Sequence, residues 1–145
     1  MELLISTDKS KLDLELVHQF LSQESYWAKN IPFEVVKRSV EHSMCFGVYL
    51  DDQQIGFARV ITDCATFAYL GDVFILPRYR GKGISKKLME FIREHPGLQN
   101  LRRWMLATAD AHNLYKQFAF TELSNPERMM EISTTDLYSK PPFAS

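Results

Sequence analysis

The sequence predicts a mixed α/β fold built on one central sheet, and three observations carry that prediction. Helix-period and strand-period patterns alternate along the chain. Two strand patterns, 45–50 and 55–62, flank the polar turn Asp51-Asp52-Gln53-Gln54, which marks an antiparallel hairpin. An apolar strand over 67–76 then passes through a glycine-bearing turn into an amphipathic helix and a further strand, the order of a right-handed parallel crossover. One sheet must therefore hold both kinds of pairing.

The elements follow in order. Residues 2–6 read as a first strand, and Leu14, Val17, Phe20 and Leu21 recur at helical spacing within a helix over 12–22. Pro32 suits the first turn of a second helix, which carries Val35, Val36 and Val40 and ends near Met44. The hairpin and the 67–76 strand come next. The helix over 83–95 puts Ile84, Leu88, Phe91 and Ile92 on one face and is ended by Pro96 and Gly97. A strand over 101–107, a short helix over 111–118 and two strands within 120–133, separated by Asn125-Pro126, complete the pattern.

At 145 residues the chain reads as one domain over 1–138 with a loose tail over 139–145, where Pro141 and Pro142 stand. Its 46% hydrophobic and 24% charged content is that of an ordinary globular protein. No apolar run reaches membrane-spanning length and no leader pattern opens the sequence, so a cytoplasmic protein without a membrane partner is expected. Cys45 and Cys64 lack metal-site spacing and sit among apolar neighbours, which predicts two buried reduced thiols and no bound metal. Charge is unevenly placed. Between Arg78 and Arg103 stand eight Lys or Arg and two Glu, so a net charge of −1 leaves −7 on the remainder.

That basic region contains the most informative segment, VFILPRYRGKGISKK over residues 73–87. Gly81 and Gly83 permit left-handed backbone angles, while the open first turn of the following helix presents N–H groups and the positive end of its dipole. Arg78, Arg80, Lys82 and Lys86 surround it, and Ser85 offers a hydroxyl. A pyrophosphate is the ligand such a turn suits. The Walker spacing is absent, and Lys86 occupies the place of the third glycine of the dinucleotide fingerprint, so neither magnesium triphosphate nor a dinucleotide fits.

Arg78-Tyr79-Arg80-Gly81-Lys82-Gly83, followed by Ile84, resembles motif A of the GNAT superfamily, written [QR]xxGx[GA]. Downstream, Ala111, Leu114, Tyr115 and Phe120 resemble that family's motif B in register. Two positions depart: Ala119 replaces a glycine, which is expected only to stiffen a turn, and Thr108 stands where many members have a CoA-contacting asparagine. The resemblance implies an acyl-CoA N-acyltransferase fold, a mostly antiparallel sheet of six to seven strands with one splayed parallel pair and four helices. It also implies acetyl-CoA as cosubstrate and an acceptor amine.

From the same resemblance, Val73, Phe74 and Ile75 would bind the pantetheine arm, and Arg78, Arg80, Gly81, Lys82, Gly83, Ile84, Ser85 and Lys86 the pyrophosphate. Direct attack by a neutral amine then needs a base, a donor for the oxyanion and an acid for the departing thiolate. Tyr115 holds the place of the family's acid. Asp72 is the leading base, sharing one strand face with Phe74 and Leu76, while Asp63, His42 and His112 are weaker candidates. Tyr26, Trp27 and Phe33, between the first two helices, are expected to line the acceptor pocket. Two other readings stay open: a non-catalytic acyl-CoA sensor, and a nucleic-acid-binding domain using the basic helix, although that region lacks interleaved aromatics. Monomer and homodimer are both open.

Overall fold

The computed structural model describes residues 2–139. Strand β1 (Leu3–Ser6) is followed by α1 (Leu14–Gln19), α2 (Phe33–Glu41), β2 (Met44–Leu50), β3 (Gln53–Thr62), β4 (Phe67–Ile75), α3 (Ile84–Glu94), β5 (Arg103–Leu106) and α4 (His112–Lys116). The sheet order β1-β2-β3-β4-β5 follows the chain. The first three pairings are antiparallel, and β4 with β5, joined through α3, is the parallel pair.

Local chemistry sets the boundaries. Asp13 caps α1 by accepting the Leu16 N–H, and the helix widens into a π turn over Phe20–Glu24. There the Ser22 and Ser25 hydroxyls donate to the carbonyls of His18 and Leu21, which occupies acceptors as the helix ends. Asp51 and Asp52, with φ of 48° and 69°, turn the β2–β3 hairpin tightly, so β3 starts two residues before the alternating pattern predicts.

The helices cover both sheet faces. Val17, Phe20, Leu21, Val36 and Val40 pack with Phe57 and Phe74 on the α1–α2 side. On the other side Leu88, Met89 and Ile92 of α3 meet Phe46, Val48, Val60 and Leu70, and Tyr115 of α4 joins them. Alternation along β4 explains the division: Phe74 and Leu76 face the first cluster, Val73 and Ile75 the second.

Two expectations are corrected. The sheet has five strands, not six to seven, because 120–133 forms no ladder among the described residues; its only regular element is a 3₁₀ turn at Pro126–Arg128. A strand needs a neighbour for its backbone groups, and none of the described residues pairs with it. Cys45 is buried as expected, but Cys64 is exposed in the β3–β4 turn with φ of 60°. The loose tail lies, from residue 140 onward, outside the described residues.

Candidate active site

The glycine turn forms an anion cradle. Pro77–Tyr79 makes a 3₁₀ turn after β4, and Gly81 and Gly83 follow with φ of 76° and 78°. A Cβ on either glycine would meet nothing within 4 Å, so the backbone angle rather than crowding calls for glycine here. Gly83 caps α3 without a side-chain bond, and the first helical bond runs from Lys87 N–H to the Gly83 carbonyl. The N–H groups of Ile84, Ser85 and Lys86 are left open into a cleft of about 200 Å³ that also touches Tyr79, Arg80 and Leu114. Arg80 braces this turn, its Nε donating to the Ile75 carbonyl at 2.9 Å, while the Arg78 guanidinium and Lys82 ammonium lie 4.9 and 6.0 Å from the Tyr79 ring centre. Arg80 thus holds the loop as well as charging it.

From the cradle a gap leads back between β4 and β5. Their parallel register runs only from Phe67↔Arg103 to Leu70↔Leu106, and beyond Leu70 the strands separate. Val73, Phe74 and Ile75 therefore have no ladder partner on the β5 side, although Phe74 and Ile75 pair with Phe57 and Gly56 on the other. The side chain of Phe74 is spent in the core, stacked 4.0 Å from Phe20, so what it offers the gap is backbone.

The gap opens into a cavity of about 430 Å³ lined by Tyr26, Trp27, Arg59, Asp72 and Tyr115 among others. Tyr115 is 8% exposed, and its hydroxyl has no hydrogen-bond partner among the described residues. Burial pushes that hydroxyl up to about 12, with Tyr26 and Asp110 adding to the rise. It stays protonated across the physiological range. Thr108 accepts the Ala111 N–H through its hydroxyl, which caps the loop before α4.

Asp72 is brought to the cavity, with both oxygens engaged. Arg59 Nε donates to one at 2.8 Å and Trp27 Nε1 to the other at 2.8 Å, while Arg59 also reaches the Ser43 hydroxyl. Tyr26, 62% exposed, accepts the Ala109 N–H with its hydroxyl and meets Trp27 edge-on at 5.0 Å. These contacts tie the α1–α2 loop to β4 and to the loop after β5. Phe33 lies elsewhere, edge-on to His18 at 5.6 Å, and is not part of this wall.

The other candidates for a base are placed by their partners. Asp63 accepts from Thr66, Ala65 and Phe67 in the β3–β4 turn, and these bonds, the Thr66 backbone first, hold its carboxyl well below the usual range. It is a turn residue. His42 is exposed beyond α2, and His112, also exposed, begins α4. Sequence reasoning missed Arg59, Tyr69 and Asp110 on the cavity wall. For Arg59 a signal existed: it is the one charge within the apolar strand IGFARVI.

A family model described as an acetyltransferase (GNAT) domain matches residues 41–122, which include the turn, the splayed pair and α4. The chain belongs to the GNAT family. A solved structure described as a "putative acetyltransferase belonging to the GNAT family", from Xanthomonas campestris pv. campestris, is 52% identical to this GNAT chain, with a TM-score of 0.94 over 97% of this chain and 99% of the other. A protein of Gibberella zeae named "putative acetyltransferase" is 32% identical over 77% of this chain and 75% of its own length. A more distant relative of the fold, from Clostridium acetobutylicum, is described as a predicted acetyltransferase with acetyl-CoA. It aligns over 91% of this chain and 96% of its own, with a TM-score of 0.66 and 14% identity. The family model and the first two of these relatives support acetyltransferase activity for the GNAT chain, and the third shows the shared fold.

Proposed function

We propose that the chain is an acetyl-CoA-dependent N-acetyltransferase that passes acetyl directly to a primary amine of a small molecule or peptide. One observation carries the reading: the anion cradle at α3 and the unbonded Tyr115 hydroxyl lie at two ends of one gap between β4 and β5. A pyrophosphate suits the open N–H groups of Ile84, Ser85 and Lys86, and an amide-bearing arm suits the unpaired edge at Val73, Phe74 and Ile75. The distant relative described with acetyl-CoA supports the choice of cosubstrate.

Acetyl-CoA supplies an activated acyl carbon: the amine N–C bond forms first, and the C–S bond breaks as the tetrahedral adduct collapses. In this reading the Tyr115 hydroxyl gives its proton to the departing sulfur and regains one from the acylated nitrogen, which sheds an N–H proton as the amide forms. Amines are mostly protonated at neutral pH, so the attacking nitrogen must also lose a proton. Asp72 accepts one donor on each oxygen, the Trp27 indole and the Arg59 guanidinium, and these two bonds fix it to the wall. We therefore assign Asp72 to anchoring the cavity wall, with the proton leaving to water through the mouth beside Tyr26 and Trp27.

The test is a turnover screen with acetyl-CoA over polyamines, amino acids, aminoglycosides and peptide amino termini, reading free CoA thiol. Release dependent on one class of amine is expected. Tight acetyl-CoA binding without release for any amine would favour a sensor. Salt-dependent nucleic-acid binding indifferent to CoA would favour the third reading.

A further inference from the structure

The charges on the wall of the cavity beside Tyr115 do not balance. Of the residues lining it, only Arg59, Asp72 and Asp110 carry charge, and Arg59 and Asp72 are paired with each other at 2.8 Å. That leaves the Asp110 carboxylate, which is exposed and accepts no hydrogen bond among the described residues. Nor does it cap the helix that follows. Ala111 holds the cap position of α4 without a side-chain bond, and its N–H goes to the Thr108 hydroxyl.

The surroundings of this carboxylate are aromatic. Tyr26, Trp27 and Tyr69 share the wall, the first two 62% and 43% exposed. The Trp27 N–H is spent on Asp72, so what it offers a guest is its ring, and no cation of the described residues stacks on any of the three rings. The Tyr26 hydroxyl accepts the Ala109 N–H and so ties the ring to the residue before Asp110. Tyr26 and Asp110 both lie near enough to Tyr115 to help raise its hydroxyl. An unmatched carboxylate among open aromatic rings is an environment that attracts an organic cation. The reacting nitrogen is not that cation, because it must be neutral to attack and a facing carboxylate would keep it protonated. The charge that Asp110 matches is therefore a second one.

We propose that the acceptor is an alkyl diamine, and that Asp110 selects it by holding the ammonium that does not react against the Tyr26, Trp27 and Tyr69 rings. The proposal rests on the acetyl-transfer reading and narrows its acceptor. A neutral amine of equal length forgoes the ion pair, and an amino acid brings its own carboxylate against Asp110 and is repelled. Because Asp110 meets the far end of the acceptor, it sets KM more than kcat.

Diaminobutane, butylamine and γ-aminobutyrate have the same carbon chain and differ in charge at the far end. With wild type, kcat/KM should fall at least about tenfold from diaminobutane to butylamine, and further to γ-aminobutyrate. Asp110→Asn should raise the diaminobutane KM about tenfold and bring its kcat/KM to within about threefold of that for butylamine. Asp110→Lys should reverse the order in favour of γ-aminobutyrate. Butylamine used as well as diaminobutane by wild type, or a preference that survives Asp110→Asn, overturns the proposal. A second readout needs no turnover. The chain has two tryptophans, Trp27 on the cavity wall and Trp104 away from it. Diaminobutane titrated into the full chain with CoA present should shift the Trp27 indole N–H resonance, leave that of Trp104 in place, and do neither in Asp110→Asn. If no amine is acetylated, that shift upholds the cation site and fails only the transfer reading. An unmoved Trp27 resonance overturns the proposal whatever the turnover.

Discussion

Replacing Tyr115 with phenylalanine removes one oxygen, and the structure sets how much each observable should change. The hydroxyl has no hydrogen-bond partner among the described residues, while the ring packs in the α3–α4 core and meets Phe120 at 5.9 Å. Stability should therefore stay within about 0.5 kcal/mol of wild type, since no bond is broken and no cavity larger than an oxygen is left. Acetyl-CoA affinity should also hold, because the cradle is built from Gly81, Gly83 and the start of α3. Loss of a positioned acid should lower kcat by about 10²- to 10⁴-fold, a barrier increase of roughly 3–5 kcal/mol. Thiol release with an accepted amine gives kcat, and calorimetric titration gives the affinity. An unchanged kcat refutes the role of Tyr115, and a fall in affinity parallel to kcat would assign the hydroxyl to binding. The same hydroxyl titrates near 12 in the fold and near 10 in the unfolded chain. Over that window the unfolded state has lost its proton and the native state has not. The associated stability is thus complete below pH 10 and declines as pH rises towards 12, and Tyr115→Phe should remove this part of the decline.

Gly83→Ala places a Cβ on a residue with φ of 78°, at an expected stability cost of about 1 kcal/mol. If the first turn of α3 shifts to relieve this, acetyl-CoA binding should weaken about tenfold in calorimetric titration; unchanged affinity and stability would show that the turn tolerates a side chain. Ala119→Gly should raise stability by up to about 1 kcal/mol in urea unfolding, because Ala119 sits at φ of 73° where glycine carries no steric penalty. Asp72→Asn removes the charge that pairs with the largely buried Arg59 and should cost about 1–3 kcal/mol. For an anchoring Asp72, this variant raises the amine KM more than it lowers kcat and keeps the acidic limb of the kcat profile. Loss of that limb with a hundredfold fall in kcat would make Asp72 the base.

Much of this architecture is legible in the sequence where one residue type has one physical reason to be there. Gly81 and Gly83 announce a left-handed turn, the apolar run before them a strand, and Ile84, Leu88 and Ile92 a helix face, so the cradle can be placed by number before any coordinates. Tyr115 comes with its motif. What stays hidden depends on contacts between distant segments. Trp27 and Asp72 are 45 residues apart, and no local pattern says that an indole N–H will meet that carboxylate. Phe33 reads as equivalent to Tyr26 and Trp27, yet its place at the start of α2 turns it to His18. Ala119 reads only as stiffening a turn, and the left-handed angle it adopts is visible only once α4 ends. The alternation in 120–133 reads as strand, but pairing is a property of two segments, and among the described residues none pairs with it.

The gap between β4 and β5 opens beside one extra residue. Between Phe57↔Phe74 and Arg59↔Gly71, β3 advances two residues while β4 advances three, so β4 carries a bulge containing Asp72 with φ of 53°. Bulges bend the strand that carries them and sharpen its twist. This one begins where the β4–β5 ladder ends at Leu70↔Leu106, so the bend coincides with the strand's departure from its parallel neighbour. A non-glycine residue in that conformation costs about 1–2 kcal/mol and needs compensation. Arg59 and Trp27 provide it, each donating to one oxygen of Asp72. Aspartate suits the position doubly, since its short side chain tolerates the left-handed region and its two oxygens accept both donors. At the bulge, then, Asp72 is pinned by one donor on each carboxylate oxygen, beside the cleft where the chemistry is proposed to occur.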